Sequence, residues 1–513
     1  MATTAVAMPP NAKPGRPRVS VAFWVIVFLM AGGLTMRNLS TWPARMFYPG
    51  EESYEGSALV EITRLAQGTP IYAPPSEDGF AGATYGPLYY VVGSHLVDPG
   101  NPSYLYLRLL SAFAIVGCAL GCGVLTFWLC GDFIASCLSP LIFLSYGIVT
   151  FHGISALSDD VALFLFFCGF LIAYRFRNSS KILIGAPFMA LGFYYKPQYI
   201  AGPLAVLLFL FIEKRYRHLI QFAGLLAICG VGLLALFQWV VFPGQEFWRH
   251  LFLYQATLLN WHQFKIGLLV FVLMMAVPLL LITEFLRVHP DRLITCYVVC
   301  AALLALVTIS KDSAFIQYFY ECILAASIII PAFFATRTPK RGFPIDMILL
   351  LAFTLFTGQW YTPPAPSRTA FVQDVAVHHF MRRNFPANAR ALGFRGGDLL
   401  QAGFDLPFSD LFQFELLARR GLVPEDYLIS RIKSQWFTVI LLDFDLDTEQ
   451  DQTWLNYYLN EPTRRAIAEN YLASSTMPAP IPERFWRRDQ FYIYVPRANR
   501  HAVAPAGVPE KLR

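Results

Sequence analysis

The sequence predicts a polytopic α-helical membrane protein of about eleven transmembrane helices, followed by a C-terminal extracytoplasmic α/β domain. Composition is the first reason: 56% of the 513 residues are hydrophobic, 14% are charged and the mean hydropathy is +0.47, whereas about a quarter of a soluble domain is charged. The second is that apolar stretches recur through residues 19–361, and a mixed, polar composition follows from 362. The net charge of +6 comes from short loops between these stretches, so it does not indicate nucleic-acid binding.

Eleven apolar stretches are about long enough to cross a membrane. They are residues 19–36, 107–129, 133–151, 159–176, 182–195, 197–212, 219–242, 265–286, 292–310, 316–335 and 344–361. The fifth and sixth stretches are short and are separated only by the Lys196-Pro197 junction. They are therefore read either as two spans or as one helix broken by the proline.

Clusters of basic residues orient the spans, because Lys and Arg are enriched in cytoplasmic loops. With eleven spans, every such cluster falls on the cytoplasmic side: 13–18, 175–181, 214–217, 287–292 and 337–341. The N-terminus is therefore predicted in the cytoplasm and the C-terminal region outside. The same topology puts on the outer face the segments 37–106, 152–160, 243–264 and 311–312, together with Lys196.

Residues 362–496 are predicted to form the second domain, which follows the linker-like run TPPAPS. Three stretches read as buried strands, at 389–394, 436–442 and 491–495. Helical patterns occur at 369–384, 410–420, 424–434 and 449–472. Strands that alternate with helices are typical of a small α/β layer domain. The terminal segments 1–18 and 497–513 are predicted to be disordered tails.

The first outer loop, residues 37–106, places Glu51, Glu52 and Glu55 in one turn directly after the first span. Residues 52–67 then show the period of an amphipathic helix. We expect this helix to lie on the membrane surface, where it would hold the acidic cluster at the boundary between lipid and water. The alternative is a solvated acidic turn that stabilises the N-terminus of the helix.

A second acidic site, Asp159 and Asp160, heads the fourth predicted span at its outer end. Ionisable residues at membrane depth are costly and are often functional, although Asp is also a good helix cap. Because this pair shares the outer face with Glu51 and Glu52, we predict that all four acids line one outward-opening cavity together with Lys196.

Three basic residues and one tyrosine complete the set of candidate substrate-binding residues. Lys196, at the outer end of a short span, is either a phosphate ligand or an interfacial anchor beside two tyrosines. Lys311 either binds substrate or pairs with the adjacent Asp312, and Arg108 is either a ligand or an anchor. Tyr85, in the segment TYGPLYY, belongs either to an aromatic belt or to a groove for sugar or lipid.

These features together resemble the GT-C membrane glycosyltransferases, in particular the family 39-like group that includes protein O-mannosyltransferases and lipid A aminoarabinose transferases. The resemblance covers residues 20–335 and, more loosely, the C-terminal region. It rests on short motifs: EESY at 51–54, GTPIY at 68–72, YGPLYY at 85–90, an Asp-Asp at the head of a later span and a Lys-Pro after another.

The resemblance implies transfer of a sugar from a polyprenyl-phosphate donor to a glycan, lipid or protein acceptor. In that family the first outer loop carries an Asp-Glu pair whose Asp is the catalytic base; Glu51 matches that Asp and Glu52 matches the Glu. At the first position this chain has Glu51 where the family has Asp, and the extra methylene moves the carboxylate by about one bond length. Both Glu51 and Glu52 therefore remain candidates for the base. Lys196, Lys311 or Arg108, with or without a divalent cation such as Mg²⁺ or Mn²⁺, would balance charge on the departing lipid phosphate.

The location implied is a bacterial cytoplasmic (inner) membrane, in which the chain is a multi-pass integral protein with its active site facing the periplasm or exterior. Membrane lipids are then its neighbours, and no nucleic-acid partner is expected. The alternative is a transporter or flippase for a lipid-linked sugar, which would also use intramembrane carboxylates and broken helices. Against it, the charged groups cluster at one face rather than at mid-membrane.

Overall fold

The computed structural model describes residues 20–50, 55–254, 259–311, 316–337, 345–359, 362, 364–446, 452–478 and 490–499. Glu51 and Glu52, the acids matched to the catalytic pair of the resembling family, lie outside the described residues, as does Asp312. So do the segments 1–19 and 500–513, which include most of the two predicted tails.

Helices account for most of the described chain. In order they are α1 Val21–Leu39, α2 Trp42–Met46, α3 Glu55–Ala66, α4 Pro87–Leu96, α5 Leu105–Cys130, α6 Phe133–Ser145, α7 Gly147–His152, α8 Asp159–Arg175, α9 Gly185–Tyr195, α10 Ala201–Ile212, α11 Tyr216–Ala235, α12 Trp261–Val288, α13 Arg292–Thr308, α14 Tyr320–Thr336, α15 Ile345–Thr357, α16 Arg368–Asn384, α17 Gly396–Gln401, α18 Leu411–Arg419, α19 Asp426–Lys433, α20 Gln452–Tyr458 and α21 Glu461–Asn470. Single 3₁₀ or π turns occur at Ser180–Ile184, Leu236–Val241, Arg249–Leu253, Ile316–Phe319 and Arg497–Asn499.

Five helical segments are long and apolar enough to cross a membrane: Val21–Met46, Leu105–Cys130, Tyr216–Val241, Trp261–Val288 and Ile316–Thr336. Four shorter apolar helices, α6, α10, α13 and α15, cover four further predicted spans. The two remaining predicted spans contain α8 and α9. Every predicted stretch is thus largely helical where the structure describes it, while the number of crossings stays a prediction.

The Lys196-Pro197 junction separates two helices. Helix α9 ends at Tyr195 and α10 begins at Ala201. Helix α9 packs on α8, whereas α10 packs mainly on α13. The two pieces therefore have different neighbours, and the connection between them, residues 196–200, is free to contribute side chains to a site.

The C-terminal region contains a four-stranded sheet with the order β1-β2-β4-β3. Its strands are β1 Ala391–Gly393, β2 Val439–Leu442, β3 Tyr471–Pro478 and β4 Gln490–Pro496. Strands β1 and β2 are parallel, and the other two pairings are antiparallel. The sheet is backed on one side by the apolar cluster of α18, α19 and α21 and on the other by that of α16 and α17.

The helix predicted at 449–472 is in fact two helices followed by β3. The break falls at Glu461-Pro462, where Pro462 occupies the first turn of α21. A proline is tolerated in the first turn of a helix but not in its interior. It therefore starts a new helix here.

Helix α3, the core of the predicted surface helix, is enclosed rather than laid on a surface. Its Leu59 and Ile62 pack into the membrane-helix core, while Val60 packs into the cluster of α16 and α17. On the side expected to face water, Arg64 Nη2 donates hydrogen bonds to the carbonyls of Leu406 at 2.5 Å and Pro407 at 3.1 Å. The C-terminal region thus covers the polar side of the helix.

Candidate active site

The ion pair between Asp159 and Lys196 is the centre of the candidate site. Lys196 Nζ lies 2.8 Å from each carboxylate oxygen of Asp159, and the Tyr199 hydroxyl donates to Asp159 Oδ1 at 2.6 Å. The Asp159 side chain is 2% exposed, whereas that of Lys196 is 15% exposed. The aspartate is therefore a buried support, and the ammonium group is the part that a ligand can reach.

The local sequence explains how these groups meet. Asp159 is the first residue of α8, and the preceding Ser158 makes no side-chain capping bond. Lys196 is the first residue after α9, at a position where Pro197 prevents the helix from continuing. Because α8 and α9 pack together, the start of one helix lies beside the end of the other. This ion pair adds to the simpler roles considered for the two residues, a helix cap for Asp159 and an interfacial anchor for Lys196.

A second lysine lies close enough to the first to influence its electrostatics. Burial lowers the pKa of Lys311, and the positive charge of Lys196 lowers it further. Gln198, two residues after Lys196, has a buried side-chain amide with no hydrogen-bond partner among the described residues, and the same holds for the amide oxygen of Gln317. Two neighbouring lysines suit an anionic ligand.

Asp160 is placed differently from its neighbour. It is fully buried, and neither carboxylate oxygen has a hydrogen-bond partner within the described part of the chain. The predicted acidic pair is therefore divided: Asp159 pairs with Lys196, whereas Asp160 forms no ion pair with the described residues.

Arg108, predicted as a substrate ligand or an anchor, forms its hydrogen bonds within the protein. Its Nε and Nη2 bind both carboxylate oxygens of Glu55 at 3.1 and 2.6 Å. Its remaining bonds run to the carbonyls of Arg45 at 2.8 Å, Tyr48 at 2.6 Å and Gly50 at 3.0 Å. A guanidinium group has five N–H donors, and these five bonds use them all. Arg108 is thus a positioning residue for the first outer loop.

Glu55 links that loop to the Asp159 segment. Its Oε1 accepts a hydrogen bond from the backbone N–H of Ala156, three residues before Asp159. The carbonyl of Ala156 in turn accepts from the Tyr89 hydroxyl at 2.7 Å. Gly50 and Glu55, which flank the undescribed segment 51–54, are therefore both bonded to Arg108. Glu55 is also bonded to Ala156, just before Asp159.

A further carboxyl pair, which the sequence did not single out, joins the loop helix to the C-terminal region. Glu61 of α3 accepts hydrogen bonds from the Ala83 N–H at 2.6 Å, the Tyr90 hydroxyl at 2.7 Å and the Ser409 hydroxyl at 3.1 Å. Burial, together with the neighbouring Asp410, raises the pKa of Glu61 to about 7. Burial also raises the pKa of Asp410. Glu61 lies on the polar side of the predicted amphipathic helix, and only the tertiary fold reveals its burial.

Tyr85 lies between this carboxyl pair and the Asp159 site. Its ring centroid is 5.4 Å from Lys196 Nζ, within the range of a cation–π contact. Burial raises the pKa of the Tyr85 phenol well above its usual range, and the charges of Asp159, Asp410 and Glu61 add to the shift. The structure therefore brings Tyr85, Lys196 and Asp159, three of the candidate substrate-binding residues, close together.

A third group of titratable side chains lies at the contact between the C-terminal region and the loop. Asp374 and His378 lie one turn apart on α16, and Asp398 lies in the first turn of α17; these three could hold a metal ion. Asp398 is bonded to Arg395 Nε at 2.8 Å. Burial and the nearby Asp398 raise the pKa of Asp374 to about 7. The i, i+4 spacing of Asp374 and His378 on a predicted helix was the available sequence signal for this group.

The outward cavity predicted around Asp159 and Lys196 stays a prediction. A cavity of about 340 Å³ lies instead on the C-terminal region, lined by residues of α18, α20 and α21 that include Arg419, Asn456 and Glu461. None of its lining residues belongs to the predicted site. This cavity is therefore not used in the functional argument below.

Comparison with known proteins identifies the architecture. No protein-family model matches the chain, and no curated protein matches it. Among solved structures, the chain is similar to ArnT from Cupriavidus metallidurans in the apo state, with a TM-score of 0.54 and 12% identity over 93% of this chain and 98% of that chain. It is likewise similar to the same protein bound to undecaprenyl phosphate, with a TM-score of 0.56 and 12% identity over 96% and 100%.

A more distant likeness links the chain to the archaeal oligosaccharyltransferase AglB from Archaeoglobus fulgidus, with a TM-score of 0.47 and 11% identity over 88% of this chain and 73% of that chain. That score is too low to carry an argument, and identities of this size show the fold alone. The apolar helices and the similarity to ArnT show that the chain is an integral membrane protein with a GT-C fold. The resemblance of its sequence motifs predicted this fold.

Proposed function

We propose that the chain is a membrane glycosyltransferase, which moves a sugar from a polyprenyl-phosphate donor to a glycan, lipid or protein acceptor on the outer face of the membrane. The observation that carries the proposal is the Asp159–Lys196 ion pair beside Lys311, in a fold shared over nearly its whole length with ArnT bound to undecaprenyl phosphate. This arrangement suits a lipid phosphate that departs from a sugar.

The lysines supply the charge balance for that leaving group. As the glycosidic C–O bond breaks, negative charge grows on the phosphate oxygen, and fixed cations stabilise it most strongly where water is excluded. Lys196 is oriented by Asp159, which also accepts a hydrogen bond from the Tyr199 hydroxyl, so the ammonium group needs little reorganisation to meet the phosphate. Two lysines can supply this positive charge, with or without a divalent cation such as Mg²⁺ or Mn²⁺.

The acceptor must lose a proton as its hydroxyl oxygen attacks the anomeric carbon, and we assign Glu51 as the base that takes it. Glu51 follows Gly50, whose carbonyl is held by Arg108. Glu52 is the second candidate and is assigned to support of the loop. In each turnover one C–O bond forms, one breaks, the proton passes to the carboxylate, and the polyprenyl phosphate leaves.

The proposed setting is the topology predicted from charge: eleven spans, the N-terminus in the cytoplasm, and residues 362–496 as an extracytoplasmic domain. In a bacterial cytoplasmic membrane the Asp159–Lys196 site would then face the periplasm. Support comes from the clustering of basic residues in alternate loops and from the position of Asp159 and Lys196 at helix ends rather than at mid-helix.

The test is a transfer assay with the purified full chain in lipid vesicles, supplied with polyprenyl-phosphate sugars and a cell-envelope extract as acceptor. Mass spectrometry would follow the release of polyprenyl phosphate and the mass added to the acceptor. Glu51→Gln keeps the size of the side chain but removes the proton acceptor, so it should lower turnover by roughly two to four orders of magnitude. Glu52→Gln should cost less.

Two outcomes would reject parts of the proposal. If Glu52→Gln abolishes transfer and Glu51→Gln retains it, the base is Glu52. If donor crosses the vesicle membrane in an intact form, with no release of polyprenyl phosphate and no effect of either substitution, the chain is a transporter or flippase and the transferase assignment is wrong.

A further inference from the structure

Three side chains that play no part in the proposed transfer meet where α16 and α17 contact the first outer loop. One carboxylate or imidazole atom from each of Asp374, His378 and Asp398 can be chosen so that all lie within 4.8 Å of one another. His378 Nε2 is 3.6 Å from Asp398 Oδ1. These are nitrogen and oxygen donors of the kinds that bind transition-metal ions.

Asp374 gives an independent reason to expect a ligand. It is 1% exposed, and among the described residues neither of its carboxylate oxygens has a hydrogen-bond partner. The Nε2 atom of His378 likewise has none by the same criterion. A buried carboxylate with no partner is costly, and a cation between these atoms would remove that cost.

Arg395 orients Asp398, but it does not take the place of a cation beside Asp374. Its Nε binds Asp398 Oδ2 at 2.8 Å, which leaves Asp398 Oδ1 as the oxygen nearest His378. Residues that orient metal ligands in this way are common in metal sites. The guanidinium group is bonded to Asp398, whereas Asp374 has no such bond.

We propose that Asp374, His378 and Asp398 bind one Zn²⁺ ion, with the fourth position left to water. Imidazole nitrogen favours zinc over magnesium or calcium, which prefer oxygen ligands. Tetrahedral zinc with bonds of about 2.0–2.1 Å places its ligands about 3.4 Å apart. The side chains therefore need only a small closing movement around the ion.

The site also has a consequence for the neighbouring loop. The backbone of Gly50 lies so close to Asp374 that a Cβ atom there would be 2.7 Å from the Asp374 Cγ. Zinc would fix the rotamer of Asp374 and with it the surface on which Gly50 rests. The bound ion would thus stabilise the contact between the C-terminal region and the loop that leads to Glu51. The zinc site stands on its own geometry, whether or not the chain transfers sugars.

The experiment measures metal content and zinc affinity of the full chain in detergent. After removal of metal with a chelator and titration with ZnCl₂, elemental analysis should find one zinc per chain, and calorimetry should show preference for Zn²⁺ over Mg²⁺. The melting temperature should rise with zinc. His378→Ala should weaken zinc binding by more than the roughly 10- to 100-fold expected for loss of the supporting Arg395 in Arg395→Gln.

The adjacent His379 provides a matched control, since it is exposed and lies on the same helix; His379→Ala should leave zinc affinity unchanged. Asp374→Asn should abolish the zinc-dependent rise in melting temperature while making the metal-free protein more stable, because the unpaired buried charge is gone. If the wild-type chain binds no zinc, or if His378→Ala and His379→Ala bind it equally, the inference is wrong. A negative result here would not refute the proposed transferase, because the transfer assay measures released polyprenyl phosphate and the mass added to the acceptor.

Discussion

Removal of the guanidinium group of Arg108 should destabilise the protein strongly. Arg108 and Glu55 are 1% and 0% exposed at the side chain, so Arg108→Ala leaves a buried carboxylate without its cation. Breaking a buried ion pair in this way costs about 3–5 kcal/mol. Arg108→Lys keeps the charge but has only three donors in place of five. It should lose at least two hydrogen bonds and cost about 2 kcal/mol or more.

The assay is thermal unfolding of the detergent-solubilised chain, with the melting temperature followed by intrinsic fluorescence. We expect Arg108→Ala to lower it by roughly 3–5 °C. The double variant Arg108→Leu with Glu55→Leu should be less destabilised than the sum of the single variants, because no charge is left unpaired.

The chain contains a matched control for this experiment. The ion pair Arg292–Glu213 has the same 2.6 Å separation, but its side chains are 65% and 30% exposed. Solvent-exposed pairs contribute about 0–1 kcal/mol, so Arg292→Ala should change the melting temperature little. Equal effects of Arg292→Ala and Arg108→Ala, or additive effects in the double variant, would refute the argument that burial makes the Arg108 pair important.

Three further predictions concern pH, donor binding and topology. The pKa of Glu61 in the folded protein is raised to about 7, so the folded protein retains a proton that the unfolded chain releases above pH 4.5. The free energy of unfolding should therefore fall from pH 5 to 8 by up to about 3 kcal/mol. Glu61→Gln should reduce that slope in unfolding scans. Lys196→Ala should raise the KM for the polyprenyl-phosphate donor about 10- to 100-fold without a comparable change for the acceptor. In a cysteine-free background, an impermeant thiol reagent applied from outside should label a cysteine placed at Ser434 but not one placed at Ser179.

Each of these predictions has an outcome that contradicts it. A wild-type pH slope in Glu61→Gln would show that other buried carboxyl groups control the transition. An equal KM effect from Lys181→Ala, which removes an exposed lysine, would assign the donor effect to net charge. Labelling at Ser179 alone would invert the topology, and the active site would then face the cytoplasm.

The membrane part of the fold could be predicted because its signals are local. Apolar length marks each helix, and Pro197 marks the break between α9 and α10. In the C-terminal region, β2 and β4 are nearly continuous apolar runs, so they were found, whereas β3, with the sequence YLASSTMP, is mixed in character and was assigned to the end of a helix. Local pattern fails where tertiary pairing decides the element.

The site was harder to predict, because the role of a charged residue depends on what covers it. Asp159 and Lys196 were found because charges at the ends of apolar helices are unusual. Arg108 was assigned to substrate, since the sequence does not show that three backbone carbonyls converge on it. The burial of Glu61 was not predicted, since the periodicity of α3 cannot show that Ser409, far along the chain, closes over it.

The contacts of α3 with the C-terminal region also govern the order in which the protein can be assembled. Arg64 bonds to a carbonyl 342 residues later, and Glu61 to a hydroxyl 348 residues later. At a synthesis rate of about 5–20 residues per second, these partners emerge roughly 20–70 s after the helix. During that interval Arg64 lacks both of its carbonyl partners, and Glu61 has its partners Ala83 and Tyr90 but lacks the Ser409 hydroxyl. Closure of the loop must therefore be a late step in biogenesis, and a ribosome that stalls before residue 406 would leave this helix open to quality-control proteases.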